Sequence, residues 1–380
     1  MSDVPQGWSR VRIHDIAEKI PTGDRYDSNT VASSGCVPVI DQSENGCIGY
    51  HNNLPGVSAS DIDPVVTFAN HTCAVRLMKK PFSTIQNVFA FRGTSVDTRF
   101  VYHLLYKRIP MVFYGGHYPI LATEKFLLPP LPEQRKIAEI LDSVDENIEK
   151  TQALIAKLQD LKKAVMQELL TKGIGHTKFK DSPVGRRPEE WSLKRLGDVA
   201  DVVTGGTPPT NNAEYYGGSI PWIKPDRLGL QVYVSDSDTY LTDDGAVIAR
   251  LLPKGTVLVS CIGNIGKTAI ASCPLTCNQQ INALIPHEDT DSNYLHLACQ
   301  HYRGVLERNA SINVVPILNK STFADIRLPF PPLPEQRKIA EILDSVDENI
   351  EKTQALIAKL QDLKKALMQD LLTGRVRVKV

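Results

Sequence analysis

The chain is expected to be α+β: two mixed α/β globules joined by two long antiparallel helices that form a coiled coil, with an internal pseudo-two-fold. Three features carry this expectation. The 36-residue sequence Pro129–Ala164 recurs unchanged as Pro331–Ala366. Within it Ile137, Leu141, Val144, Ile148, Thr151, Ile155 and Leu158 step by four and three, the heptad spacing of a helix that seeks a partner helix. Between the copies lie short β-type runs such as Val65–Ala69, Val75–Leu77, Val257–Ser260 and Ile281–Ile285, punctuated by Gly, Pro and Asn.

The repeat extends beyond the identical block. Trp8-Ser9, Arg12-Ile13 and Asp15-Ile16-Ala17 return as Trp191-Ser192, Arg195-Leu196 and Asp198-Val199-Ala200. Gly35-x-Val37-Pro38-x-Ile40 returns as Gly218-x-Ile220-Pro221-x-Ile223, and Pro119-Ile120-Leu121 as Pro316-Ile317-Leu318. The order is therefore head, helix, head, helix: 1–128, 129–172, 173–330 and 331–380 with a C-terminal tail. A core tolerates hydrophobic swaps, so identity at the solvent-type positions of the helices points to an outside partner that reads both copies. A recent duplication would also leave identical copies, but the heads share only short anchors.

Each helix has its own start and stop signals. Pro132 suits the first helical turn, and Glu133 and Gln134 follow it. Gly173 and Gly374 stand just past Leu-Leu-Thr, as C-terminal glycines do. From Glu133 to Thr171 the helix would be roughly 58 Å long. After Leu158 the apolar pattern reads as shifting face to Leu161, Val165 and Leu169. In the heads, Phe100–Lys107 and Tyr294–Arg303 read as helices, and the alternating tail Arg375–Val380 as an edge strand or a frayed end.

Composition excludes several classes. No apolar run approaches the ~20 residues of a membrane span, and the N-terminal residues lack the charged-then-apolar pattern of a secretory signal. Seven cysteines without a CxxC pair suggest reduced thiols. The 43 basic and 43 acidic side chains leave zero net charge, which argues against a basic nucleic-acid coat but permits local phosphate contacts. Cys261-Ile-Gly-Asn-Ile-Gly266-Lys267-Thr268 misses a phosphate loop because Cys261 replaces the first glycine. No Glu-x-Lys follows Pro225-Asp226, and no G-x-S-x-G or H-E-x-x-H occurs. Catalysis by this chain is not expected, and no metal site is.

What remains are loops rich in groups suited to base edges, since Arg and Lys match guanine and Asn and Gln match adenine. In the first head these are Gln42, Ser43, Arg76, Lys79, Lys80, Arg92, Tyr114, His117 and Tyr118. In the second they are Thr207, Lys224, Arg227, Asn264, Lys267, Gln279, Gln280, Arg303, Arg308 and Asn313.

With these residues in view, the chain resembles the specificity subunits of type I restriction–modification enzymes. The resemblance rests on Pro129-Pro-Leu-Pro-Glu-Gln-Arg135 and its copy Pro331–Arg337, each followed by a long helix ending Leu-Leu-Thr. Gly205-Gly206-Thr207-Pro208, Ile220-Pro221-Trp222-Ile223, Leu252-Pro253-Lys254-Gly255, Gly263-Asn-Ile-Gly266-Lys267 and Asn278-Gln279 support it, and it covers essentially the whole chain. The first head departs from the pattern, with Val39 in the place of Trp222 and no Gly-Thr-Pro after Gly23.

The resemblance implies that the heads are target recognition domains, each reading half of a bipartite asymmetric double-stranded DNA site. It implies that the helices set the spacing and dock two methyltransferase subunits, which restriction subunits join. Glu133, Gln134 and Arg135 with Glu335, Gln336 and Arg337 are the expected partner-binding residues. S-adenosylmethionine, ATP and Mg would sit in the partners, none in this chain, and the setting would be a prokaryotic cytoplasm. The alternative is a coiled-coil scaffold whose heads bind ligands or proteins.

Overall fold

The β-branched runs form strands where composition places them, and the computed structural model describes residues 4–43, 46–106, 108–110, 115–311 and 314–380. Apart from the short pair Ser9–Val11 and Phe126–Leu128, the strands of the first head are β1 (Ala17–Ile20), β2 (Val37–Ile40), β3 (Cys47–His51), β4 (Val65–Ala69), β5 (Val75–Met78), β6 (Ser83–Thr84) and β7 (Val88–Gly93). They make a four-stranded sheet of order β1-β7-β4-β5 and a three-stranded sheet of order β3-β2-β6, in which β2 and β6 run parallel. All five residues of β4 are buried, which is why that strand is apolar at every position but Thr67 rather than alternating.

The second head repeats the plan with β8 (Ala200–Thr204), β9 (Tyr216–Ile223), β10 (Tyr233–Val234), β11 (Tyr240–Leu241), β12 (Val257–Ser260), β13 (Thr268–Ala271), β14 (Thr276–Cys277) and β15 (Ile281–Pro286). Its sheets have the orders β8-β15-β12-β13-β10 and β11-β9-β14. The pair β9–β14 is parallel, as β2–β6 is. Each head adds a helix behind its larger sheet: α1 (Thr98–Leu105) in the first and α3 (Ser292–His301) in the second. The long helices are α2 (Leu131–Lys172) and α4 (Leu333–Leu371).

The chain divides into two units, Met1–Leu154 with Thr353–Val380 and Ile155–Lys352. Each unit thus holds one head, the start of one long helix and the end of the other. In the first, Ile137, Ala138 and Leu141 share a core with Leu367 and Leu371. In the second, Ile339, Ala340 and Leu343 share one with Val165, Leu169 and Leu170. A start packed against an end makes the helix pair antiparallel. α2 ends at Gly173, whose φ of +67° suits glycine. A Cβ there would also come within 2.5 Å of the Glu335 carboxylate.

The seam differs from its sequence reading in one respect. It does not shift to Leu161, which is 49 % exposed, but continues in register to Lys162. Counting apolar residues misses this position because a lysine holds it: the stem fills the seam, and the ammonium lies 2.7 Å from the Asp347 carboxylate. The repeat makes the reciprocal pair, Lys364 with Asp145 at 2.5 Å. The tail is neither strand nor frayed end, because Arg377 clamps it to Glu133.

Four of the six expected partner-binding residues are instead the joints between helices and heads. The Trp8 indole Nε1 donates to Glu133 at 3.1 Å, and Trp191 Nε1 donates to Glu335 at 3.1 Å. Gln134 Nε2 donates to the Pro129 carbonyl, and its oxygen accepts the backbone N–H of Asp97, the N-cap of α1. Gln336 does the same with Pro331 and with Asp291, the N-cap of α3. Glu133, Gln134 and Gln336 are buried, so they have no face left for an outside partner. Arg135 and Arg337 are exposed and remain available.

His296 on α3 is 3 % exposed, and its Nδ1 has no hydrogen-bond partner among the described residues. Burial, with a smaller push from Lys162, lowers its pKa to about 4. Above the unfolded value near 6.5 the imidazole is neutral in both states and costs nothing. As pH falls toward about 4 the unfolded chain takes the proton and the folded one does not, so stability declines by about 2–3 kcal/mol. Urea titrations of the second unit should show this loss, and His296→Phe should flatten it; an unchanged pH slope would contradict the assignment.

Candidate nucleic-acid interface

Strand directions decide which loops meet. In the second head the C-terminal ends of β8 and β12 and the N-terminal ends of β13 and β15 lie at one edge, because Thr204 pairs with Asn282, Ser260 with Ile281 and Val259 with Thr268. Asn278 N donates to the Ile223 carbonyl, which brings the end of β9 to the same rim. Gly206 N donates to Cys277 O at 2.9 Å. A Cβ on neighbouring Gly205 would lie 2.3 Å from the carbonyls of Cys277 and Asn278, so this crossing requires glycine.

The crossing presents polar groups outward. Thr207 Oγ1 donates to Gln279, and both residues are exposed. Trp222 Nε1 donates to Gly206 O at 3.0 Å, while Lys224 holds its ammonium 5.2 Å above the Trp222 ring. Gln280 accepts from the Asn278 amide at 2.9 Å. Arg227 is tied to Asp238, with Asp236 3.9 Å away.

Beside it, Ser260 fastens the Gly263–Lys267 turn, its hydroxyl donating to Asn264 O at 2.6 Å and accepting from Lys267 N at 2.9 Å. Arg303 donates to the Asn264 side chain at 2.7 Å and to Glu307 at 2.8 Å. The rim therefore collects Thr207, Lys224, Arg227, Asn264, Lys267, Gln279, Gln280 and Arg303. Arg308 points elsewhere, onto a cavity at the end of α2, and Asn313 lies outside the described residues. Sequence reasoning missed Val314 and Val315, which are exposed on the segment hydrogen-bonded to Gly263 through Pro316. Apolar residues read as core, so no signal marked them.

The equivalent rim of the first head is formed by the ends of β1 and β4 and the starts of β5 and β7. Gln42 Oε1 accepts from His71 N at 2.9 Å, and Arg76 donates to the carbonyls of Asp41 and Ser43. Burial lowers the Arg76 pKa, an effect that Asp41 opposes. Ser43 donates to the Asp41 carboxylate at 2.8 Å through its hydroxyl.

Four residues of the first-head reading do not join this rim. His117 is fully buried, with Nδ1 3.2 Å from Asn70 O and 3.1 Å from Gly115 O, so it cannot reach a base edge. Lys79 and Lys80 follow the C-terminal end of β5, and Arg92 lies near that of β7, the edge opposite the rim. Arg92 is there engaged by Asp63 at 3.0 Å and by Ser58 O at 3.0 Å. Tyr118 stays near the rim, held by Asn70 through its backbone N–H, with Lys19 5.0 Å above its ring. Tyr114 lies outside the described residues. Asn70 and Lys19 were missed because neither stands in a repeated anchor.

Among the described residues no group of three or more His, Cys, Asp or Glu is placed to hold a metal. All seven cysteines are free, and burial pushes Cys261 up to about 11 and Cys277 and Cys299 up to about 12, which keeps them as inert thiols. No described helix is long and apolar enough to cross a membrane.

Residues 5–160 and 188–362 match the family described as the type I restriction modification DNA specificity domain. The chain is 35% identical over 181 residues to the type I restriction enzyme MjaIX specificity subunit of Methanocaldococcus jannaschii, covering 46% of this chain but 42% of that one. It thus spans less than half the length of that relative. Against the EcoR124I/EcoR124II specificity subunit of Escherichia coli the identity is 26% over 343 residues, covering 85% and 81%. The crystal structure of a type I restriction–modification S subunit from M. genitalium superposes with a TM-score of 0.63 over 96% of both chains at 16% identity, a shared fold.

Proposed function

The chain belongs to the type I restriction modification DNA specificity family, and from that premise we propose that it is the sequence-reading subunit of a type I restriction–modification complex. Each head reads one half of a bipartite, asymmetric DNA site through its rim. The helices set the interval and carry two methyltransferase subunits, which restriction subunits join. S-adenosylmethionine, ATP and Mg belong to those partners.

One observation carries this reading: identical helices meet two unlike heads through the same Trp–Glu–Gln joint. Such a joint lets the reading rim change while its support stays fixed. Two equivalent partners need equivalent surfaces, and the duplicated helices provide them. Asn, Gln, Lys and Arg at the rim suit direct readout of major-groove edges. With no net charge, phosphate attraction must come largely from the partners, so the salt dependence of binding should steepen on assembly.

Replacing residues 1–128 with a different head should change one half-site and leave the other intact, read by methylation-sensitive sequencing. A change in both halves would contradict modular reading. Inserting one heptad at Thr151 and another at Thr353 adds about 10 Å of helix, so the unspecified spacer should lengthen by about 3 bp at 3.4 Å per step. An unaltered spacer would mean that the helices are not the ruler.

A further inference from the structure

We propose that each unit carries a docking cavity for an acidic, apolar-tipped segment of the methyltransferase, one cavity per copy of that partner. This rests on the function proposed above. In the second unit a cavity of about 650 Å³ is walled by Gln167 and Thr171 at the end of α2, by Phe179 and Tyr302, and by Arg308. In the first a cavity of about 470 Å³ is walled by Gln369 and Thr373 at the end of α4, by Phe126 and Leu372, and by Lys125. Gln167 and Thr171 are the repeat counterparts of Gln369 and Thr373. One wall is therefore the same element used twice, and the head supplies the other.

Charge complementarity names the occupant. No Asp or Glu lines either cavity, and each has three cations on its walls: Lys172, Arg186 and Arg308 in one, Arg10, Arg108 and Lys125 in the other. Several are already engaged, Lys172 by Glu168, Arg108 by Glu124, and Arg186 over the Phe179 ring. Arg308 and Lys125 are exposed and have no ion pair or hydrogen bond among the described residues. Free cations above an apolar floor fit a carboxylate-bearing segment with an aliphatic or aromatic tip. A phosphodiester would use the cations and leave the apolar walls wet. The reading rims, by contrast, contain no residue of α2 or α4. An outside segment lodged against matching helix ends, which share Met-Gln and Leu-Leu-Thr beyond the identical block, also explains why those residues repeat.

The test uses the full chain and the methyltransferase subunit of its own system, with complex mass by native mass spectrometry and affinity by calorimetry. The wild type should take two methyltransferases. Arg308→Glu and Lys125→Glu should each lose one copy, with at least tenfold weaker binding at the altered cavity, and the double variant should lose both. Arg308→Lys and Lys125→Arg should restore assembly, which separates lost charge from misfolding. If the reversed variants take two copies as tightly as the wild type, the cavities are not docking sites. If they assemble normally but lose retention on duplex DNA, the cavities hold phosphate and the proposal fails. A wild type that takes no methyltransferase would overturn the functional reading itself.

Discussion

Glu335→Ala is expected to destabilise the second unit by about 3 kcal/mol and to release its head from the helices. The carboxylate accepts from Trp191 Nε1 at 3.1 Å, from Ile174 N at 2.9 Å, and lies 2.9 Å from His176 Nε2. Trp191 is 1 % exposed, so its indole N–H has no route to water once the acceptor is gone. A stranded buried donor costs about 1–3 kcal/mol, and Trp191, Ile174 and His176 would all lose their acceptor. Glu133→Ala in the first unit should cost less, about 2 kcal/mol. There only Trp8 is stranded, because Arg377 has a side chain 44 % exposed and can turn to solvent. Glu335→Gln keeps one acceptor oxygen and should recover about half of the loss. Urea unfolding followed by Trp191 fluorescence, with Trp8 and Trp222 replaced by Phe, reads the second unit alone. A midpoint shift equivalent to less than about 1 kcal/mol for Glu335→Ala would show that packing, not this carboxylate, holds the joint.

The roles of these glutamates mark where sequence reasoning worked and where it stopped. Repetition revealed that Pro-Leu-Pro-Glu-Gln-Arg matters, and periodicity revealed the helix that follows. Neither could say that Glu and Gln face inward, because their partners lie far along the chain: Trp8 is 125 residues from Glu133, and Asp97 is 37 from Gln134. Strand runs were readable because β-branched residues and glycine turns are local signals, and Val65–Ala69 and Val257–Ser260 are strands over those same residues. The rim was readable in part. Thr207 and Gln279 stand in motifs, yet their meeting depends on sheet order. Lys79, Lys80 and Arg92 have suitable chemistry at the wrong strand ends, a distinction that only topology supplies.

The seam lysines give the second large effect, and the duplication supplies its own control. Lys364 and Lys162 occupy the same place in identical helices, but the heads beside them differ. Lys364 has a side chain 8 % exposed and lies 3.8 Å from the Tyr106 ring centroid and 5.7 Å from that of Tyr102. Lys162 is 22 % exposed, and α3 there presents neutral His296 rather than aromatic faces at those positions. Asp145→Ala would leave a desolvated ammonium unpaired and should cost about 3–5 kcal/mol. Asp347→Ala, beside the better solvated Lys162, should cost about 1–2 kcal/mol on the same reasoning. Replacing both members of the inner pair, Lys364→Met with Asp145→Leu, removes the desolvation penalty and should be neutral or stabilising. It also removes a polar contact that only one antiparallel register satisfies, so the double variant should populate slipped or self-associated helix pairings. Crosslinking between Cys introduced at Val144 and Leu367 would detect the slip. Equal costs for Asp145→Ala and Asp347→Ala would mean that the aromatic faces of the first head contribute nothing to the lysine they cover.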